Sequence, residues 1–411
     1  MIRRMRSRLA IGLVGTATSL ALLVPSAVHA APPRPTEWVG SWHAAMTTAA
    51  PDGPSAEGFT DTTLRQVAHL SVGGDSVRIR ISNAYGTDPL TVAAATVAPR
   101  SDEAAGTPMV DPDALTEVTF GGQDSVTIPA GADWVSDPVD VSVADNSDLV
   151  VSMYLPGPTG PATTHRAGYA TSFAAPGDAT ADPGTAFDEL DTSRYFLTGV
   201  DVTTRARGSV VFFGDSITDG VVSTVDANLR YPDQVADRLL ERPGPHRCGV
   251  LNSGISGNRL LTDAGASGDS ALARFDRDVL SRPGVRTVVL LEGINDIGNS
   301  RGAVEPEQLI AVYRQFIDRA HSAGITVVGA TLTPFEGAGY YTEEGEADRQ
   351  AVNEWIRNSG EFDAVVDFDA VLRDPEHPSR ILPDYDPGDH LHPNDAGFAA
   401  MAAAVDLRTI C

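Results

Sequence analysis

The sequence predicts an α/β fold: an all-β, sandwich-like region followed by a doubly wound, three-layer domain built on a parallel sheet. Two observations predict it. From Trp38 to about Thr204 the hydrophobic pattern has period two, in short runs separated by Gly, Pro, Asp and Asn, as in an antiparallel sandwich. After about Arg207, continuous apolar runs alternate with helix-like stretches, the pattern of a parallel sheet covered on both faces.

The first thirty residues stand apart from both regions. Arg3, Arg4, Arg6 and Arg8 precede the apolar "LAIGLVGTATSLALLV", which is short for a membrane span, and "AVHA" offers small residues to a signal peptidase. Residues 1–30 are therefore expected to be a secretory signal peptide, making the protein extracellular. No other stretch approaches membrane length. Residues 37–205 form the accessory β region, with strands expected at "SVRIRISNA", "LTVAAATVA", "TEVTF", "DSVTIP", "VDVSV", "DLVVSMYLP" and "RYFLTGVDVTT". No helix is expected there, and residues 155–186 have the Gly, Pro and Ala content of a long loop. Residues 206–411 supply strands at "SVVFFG", "GVLNSG", "RTVVLLEG", "ITVVGATL" and "FDAVVDF", with helical stretches such as "YPDQVADRLLE" and "EQLIAVYRQFIDRAHSAG" between them. Right-handed crossovers make this a doubly wound domain, whose ligands gather at the carboxyl ends of the strands.

Chemistry-bearing motifs fall at those ends: "GDSITDG", "NSGISGNRLL", "EGINDIG" and, before a final helix, "DPGDHLHPNDAG". They supply a hydroxyl, a glycine N–H, a side-chain amide, and an Asp and His three residues apart. That inventory suffices for acyl transfer from an ester. Ser216 is unreactive alone, so His392 would take its proton and Asp389 would hold the imidazole in the correct tautomer. The oxyanion would meet the N–H of Ser216, a glycine N–H from Gly254 or Gly257, and the amide of Asn295. Asp296 and His390 fit structural roles better.

These four motifs resemble the blocks of the GDSL, or SGNH, hydrolase superfamily over about residues 208–408. Ser216, Gly257, Asn295 and His392 stand at the four naming positions, which selects Gly257 over Gly254. The visible departure is Ile217 in place of leucine. Together with the upstream β region, the chain resembles secreted actinobacterial esterases. The resemblance implies a serine ester hydrolase with catalytic Ser216, Asp389 and His392 and an oxyanion hole of Ser216, Gly257 and Asn295.

Leu260, Leu261, Phe335, Tyr340 and Tyr341 follow strand ends and are candidates for an acyl pocket. A carbohydrate O-deacetylase that grips polysaccharide through Trp38, Trp42 or Trp134 is the alternative, and a surface-polymer binder with a vestigial site is the non-enzymatic one. No metal or other cofactor is expected: "PDYDPGDHLHP" lacks EF-hand spacing, and no second acid and histidine cluster accompanies the other strand ends. The absence of a G-x-S-x-G elbow disfavours an α/β-hydrolase.

The formal charge of −25 becomes −29 without residues 1–30, with 26 basic against 55 acidic residues, and the chain contains no lysine. Such a surface repels nucleic acid and anionic membranes. The expected partner is an ester substrate, lipid, small molecule or acylated polysaccharide, met by a monomer. The two cysteines, Cys248 and Cys411, are expected to pair. In a doubly wound sheet the final helix, about 394–407, ends opposite the active site, and Cys248 enters the second strand from that same face.

Overall fold

The computed structural model describes residues 36–100, 106–242, 247–300 and 303–411; the predicted signal peptide lies outside them. The two sheet types follow one another as the sequence patterns require. Antiparallel pairing ends with the strand Leu197–Thr204 and parallel pairing begins at Ser209.

Two larger antiparallel sheets, beside the two-stranded pairs 90–92 with 126–128 and 164–165 with 194–195, form the first part. One has six strands in the order 188–191, 172–176, 62–70, 147–155, 94–99 and 116–117; the other has four, in the order 37–43, 197–204, 77–82 and 133–135. Leu64, Leu149, Val151 and Met153 of the first share one buried core with Ile79, Ile81, Val200 and Val202 of the second, which gives the alternation of each strand its inward face. Several expectations need correction. "VDVSV" makes only isolated bridges, Val139 to Val77 and Val143 to Gly74. The expected loop 155–186 contains the strands Thr164–His165 and Ser172–Pro176, and a four-residue helix occupies Pro54–Glu57.

The second part is a five-stranded parallel sheet ordered 249–254, 209–214, 285–291, 326–330 and 364–366, so the first strand in sequence lies between the second and third. This 2-1-3-4-5 order places the topological switch point between strands Ser209–Gly214 and Val285–Leu291. Val210, Val211, Phe212, Phe213 and Val288 to Leu291 are all buried, as a sheet with helices on both faces demands. The last long helix is Asp395–Ala404 rather than 394–407: the chain extends at Val405, and a short helix, Leu407–Ile410, follows.

Thr36 to Cys411 form one compact unit. The strand Glu37–His43 lies so close to the edge strand Gly249–Gly254 that a Cβ on Gly249 would sit 2.0 Å from the carbonyl oxygen of Gly40. Only glycine permits that approach. The Gly40 N–H donates to the Pro283 carbonyl, and Ser71 Oγ accepts from the Val250 N–H at 2.8 Å. A disulfide joins Cys248 to Cys411, with Cα atoms 6.1 Å apart.

Candidate active site

Ser216 opens a four-residue helix, Ser216–Asp219, immediately beyond the first parallel strand. The helix starts there because Asp215 caps it, its carboxylate accepting the Ile217 N–H at 3.0 Å. Asp215 is fully buried, and burial raises its pKa to about 7. Ser216 itself is 5% exposed, at the carboxyl edge of the sheet and beside the switch point.

The loop before helix Asp395–Ala404 brings the other groups to it. His392 Nε2 lies 2.8 Å from Ser216 Oγ, and His392 Nδ1 lies 2.6 Å from Asp389 Oδ2. Asp389 Oδ1 also accepts the N–H groups of Leu391 and His392, each at 3.0 Å. Partial burial pushes Asp389 up, but these donors outweigh it and hold the carboxyl below the usual range. A carboxylate at Nδ1 fixes a tautomer whose Nε2 lone pair faces the serine hydroxyl. The loop is closed from below by Asn394, which caps the following helix and donates to the Asp384 carbonyl. Asp386 is paired with His390, so that acid and histidine of this loop partner each other.

Asn295 is the second residue of helix Ile294–Ser300, just past the third parallel strand. Its Nδ2 donates one hydrogen to the Asn258 carbonyl at 3.0 Å, and its Oδ1 accepts from the Tyr340 hydroxyl at 3.3 Å. Both contacts fix which end of the amide is the donor and leave a second N–H for another acceptor. Gly257 has φ +79°, a conformation that favours glycine, and a Cβ there would meet Ser267 Oγ at 2.6 Å. The rival, Gly254, has its N–H engaged by Asn252 Oδ1 at 2.9 Å and its Cα pressed against the Ser216–Asp219 helix. Asp296 accepts the N–H groups of Leu260 and Leu261, so it braces the loop that carries Gly257.

The five candidate pocket residues separate. Leu260 and Phe335 are fully buried in the core and offer no surface, because both pack beneath the strand ends. Leu261, Tyr340 and Tyr341 are partly exposed. Tyr340 stands beside Asn295, a role invisible in the sequence because its partner is 45 residues away. The sequence likewise left Asp219 without a function, although its Oδ2 accepts both the N–H (2.9 Å) and the hydroxyl (2.6 Å) of Ser256.

The family model for the GDSL-like lipase/acylhydrolase family matches residues 212–400. The parallel-sheet region belongs to that family. Its GDSL motif, Gly214 to Ile217, carries the isoleucine noted above. Among solved structures, the chain is similar to a variant of an acetyl xylan esterase from Geobacillus stearothermophilus, at 21% identity over 50% of this chain and 95% of that one, with TM-score 0.40. It is also similar to a GDSL-like lipase from Bacteroides thetaiotaomicron, at 21% identity over 48% of this chain and 84% of that one, with TM-score 0.36. A search among curated proteins finds no match.

Proposed function

We propose that the protein is a secreted serine hydrolase that cleaves carboxylic esters through an acyl-enzyme on Ser216. The observation that carries this is the continuous line Ser216 Oγ, His392, Asp389, with both hydrogen bonds already at 2.8 Å or less in the chain alone. His392 takes the hydroxyl proton as Ser216 Oγ attacks the ester carbonyl, and Asp389 stabilises the imidazolium that results. The oxyanion is received by the N–H groups of Ser216 and Gly257 and by the uncommitted N–H of Asn295; each such donor contributes roughly 3 to 4 kcal/mol at the barrier. His392 then returns the proton to the departing alcohol. Water repeats the sequence on the acyl-enzyme and releases the acid.

Secretion is supported by the features of residues 1–30 and is compatible with the disulfide. Among the described residues, no helix is long and apolar enough to cross a membrane. The acyl group is proposed to be short, because Leu260 and Phe335 are committed to the core and leave Leu261, Tyr340 and Tyr341 as the apolar surface available from the candidate set. The polysaccharide reading draws less support: Trp42 is buried and Trp38 stacks under the Arg78 guanidinium, which leaves Trp134, 40% exposed on an edge strand. Initial rates on p-nitrophenyl acetate, butyrate and palmitate test the assignment. The expected order is acetate, then butyrate, then palmitate. Inactivity on all three, in folded protein, would remove the ester-hydrolase reading.

A further inference from the structure

The proposed oxyanion hole has a support that comes from outside the parallel-sheet region. His165, on the two-residue strand Thr164–His165 of the antiparallel part, is 4% exposed. Its Nδ1 lies 2.8 Å from the carbonyl oxygen of Ala45, and its Nε2 lies 3.0 Å from Oδ1 of Asp219. Asp219 is the last residue of the nucleophile helix and is 1% exposed; its other oxygen holds the N–H and hydroxyl of Ser256. Ser256 immediately precedes Gly257, and their shared peptide carries the N–H assigned to the oxyanion.

The proton inventory is decided by geometry. A carbonyl oxygen has no proton to give, so Nδ1 must donate to Ala45. A neutral imidazole would then turn a lone pair from Nε2 toward the Asp219 carboxylate, two acceptors at 3.0 Å. A proton therefore lies between them, and the two further hydrogen bonds that Asp219 accepts from Ser256 suit a carboxylate facing an imidazolium.

We propose that His165 is a positioning residue for the oxyanion hole: protonated, it fixes Asp219, Asp219 fixes Ser256, and the Gly257 N–H is thereby held by a side chain of the antiparallel region. The proposal deepens the ester-hydrolase reading and rests on it. It also gives that region a part in turnover beyond any binding of polymer. The charged and titratable groups around His165 act in both directions. Arg230 and Arg194 line the same small crevice and disfavour a further cation, whereas Asp219 favours it; His43, also in the crevice, is held well below the ordinary imidazole value by burial. Burial lowers the His165 pKa, and Asp219 with the Ala45 carbonyl more than offsets this, leaving it above the ordinary imidazole value. For a raised histidine pKa, the contact is complete below the ordinary value and is lost as pH rises through the raised one. Activity should accordingly show an alkaline decline that belongs to His165.

The test is the pH dependence of kcat for p-nitrophenyl acetate in the wild-type chain and in His165→Gln, whose neutral amide cannot titrate, cannot supply the charged contact to Asp219 and cannot hold the Ala45 carbonyl at the same time. The variant is expected to lose roughly tenfold in kcat, less than outright removal of an oxyanion donor, with KM within about twofold. Its alkaline decline should be gone. A kcat equal to wild type, or an alkaline decline unchanged in the variant, overturns the proposal, whereas an inactive wild type overturns the ester-hydrolase reading instead. Should His165→Gln fail to fold, two measurements replace it. Ser256→Ala removes one of the two bonds that Asp219 accepts and should lower kcat while keeping the alkaline decline, and ¹⁵N-histidine NMR of the unaltered chain should show both His165 nitrogens protonated at about pH 6. Wild-type kcat in Ser256→Ala, or a neutral His165 at about pH 6, refutes the clamp.

Discussion

Removing the Cys248–Cys411 bridge separates what holds the C-terminus from what builds the site. The perturbation is the double variant Cys248→Ala, Cys411→Ala. The bridge spans 163 residues of sequence, and in the chain-entropy model closing a loop of that length restricts the unfolded chain by about 17 cal/mol/K, or about 5 kcal/mol at 25 °C. The folded tail has other anchors. Ile410 is buried, the Arg238 guanidinium donates to the carbonyls of Ala402 and Val405, Arg242 donates to Leu407, and Arg207 donates to Cys411. Helix Asp395–Ala404 should therefore stay in place without the sulfurs, and with it the Asp389 and His392 loop. For about 380 residues the unfolding entropy is about 0.8 kcal/mol/K, so 5 kcal/mol lowers Tm by about 6 °C. Thermal unfolding followed by circular dichroism reads the stability, and p-nitrophenyl acetate hydrolysis at 25 °C reads the site. The expected result is a lower Tm with unchanged kcat. An unchanged Tm would refute the loop-closure argument; lost activity in a folded variant would show that the bridge shapes the site.

Further outcomes follow from individual contacts. Asn295→Ala should reduce kcat by about 10² to 10³, and Tyr340→Phe, which loses only the bond that orients Asn295, by about two- to tenfold, both read in steady-state kinetics. His392→Ala should cost more than Asp389→Ala, by roughly 10 to 100-fold in kcat, since in the proposed mechanism Asp389 orients and stabilises the base without touching substrate; equal losses would mean that the carboxylate does more. Burial raises the pKa of Glu292, whose two oxygens are buried without a hydrogen-bond partner and face Asp215 and Arg274. A raised carboxyl pKa makes folding less favourable as pH climbs from the ordinary carboxylate value to the folded one. Glu292→Gln should therefore raise Tm relative to wild type more at pH 8 than at pH 4, and a pH-independent difference would contradict this.

Much of this architecture is legible in the sequence where one pattern is decisive. "SVVFFG" and "RTVVLLEG" read as buried strands because both faces of that sheet are covered and every position wants an apolar residue. The same logic failed where packing broke the pattern. "TTLRQVAHL" is a nine-residue central strand, yet Arg65 and Gln66 interrupt its periodicity; both are buried, Arg65 by donating to Ser152 and to the carbonyls of Pro108 and Asp182. "SFAAP" has poor strand propensity and is a strand because it pairs along Thr62 to Gln66. "VDVSV" alternates perfectly, but only Val139 and Val143 find partners. The Ser216, Asp389 and His392 grouping could be anticipated because each sits in a recognisable motif. His165 could not, because its importance arises from Asp219, 54 residues away across the contact between the two sheet systems.

The account turns on Ser216 Oγ as the nucleophile, and covalent labelling tests that most directly. Intact and peptide mass spectra of the wild-type chain treated with a fluorophosphonate should show one adduct, carried by the peptide that contains Ser216, with ester hydrolysis lost in step with labelling. Ser216→Ala, folded by circular dichroism, should take up no probe and hydrolyse no ester. An adduct that forms on Ser216→Ala, or a wild-type adduct on any other residue, would contradict the mechanism.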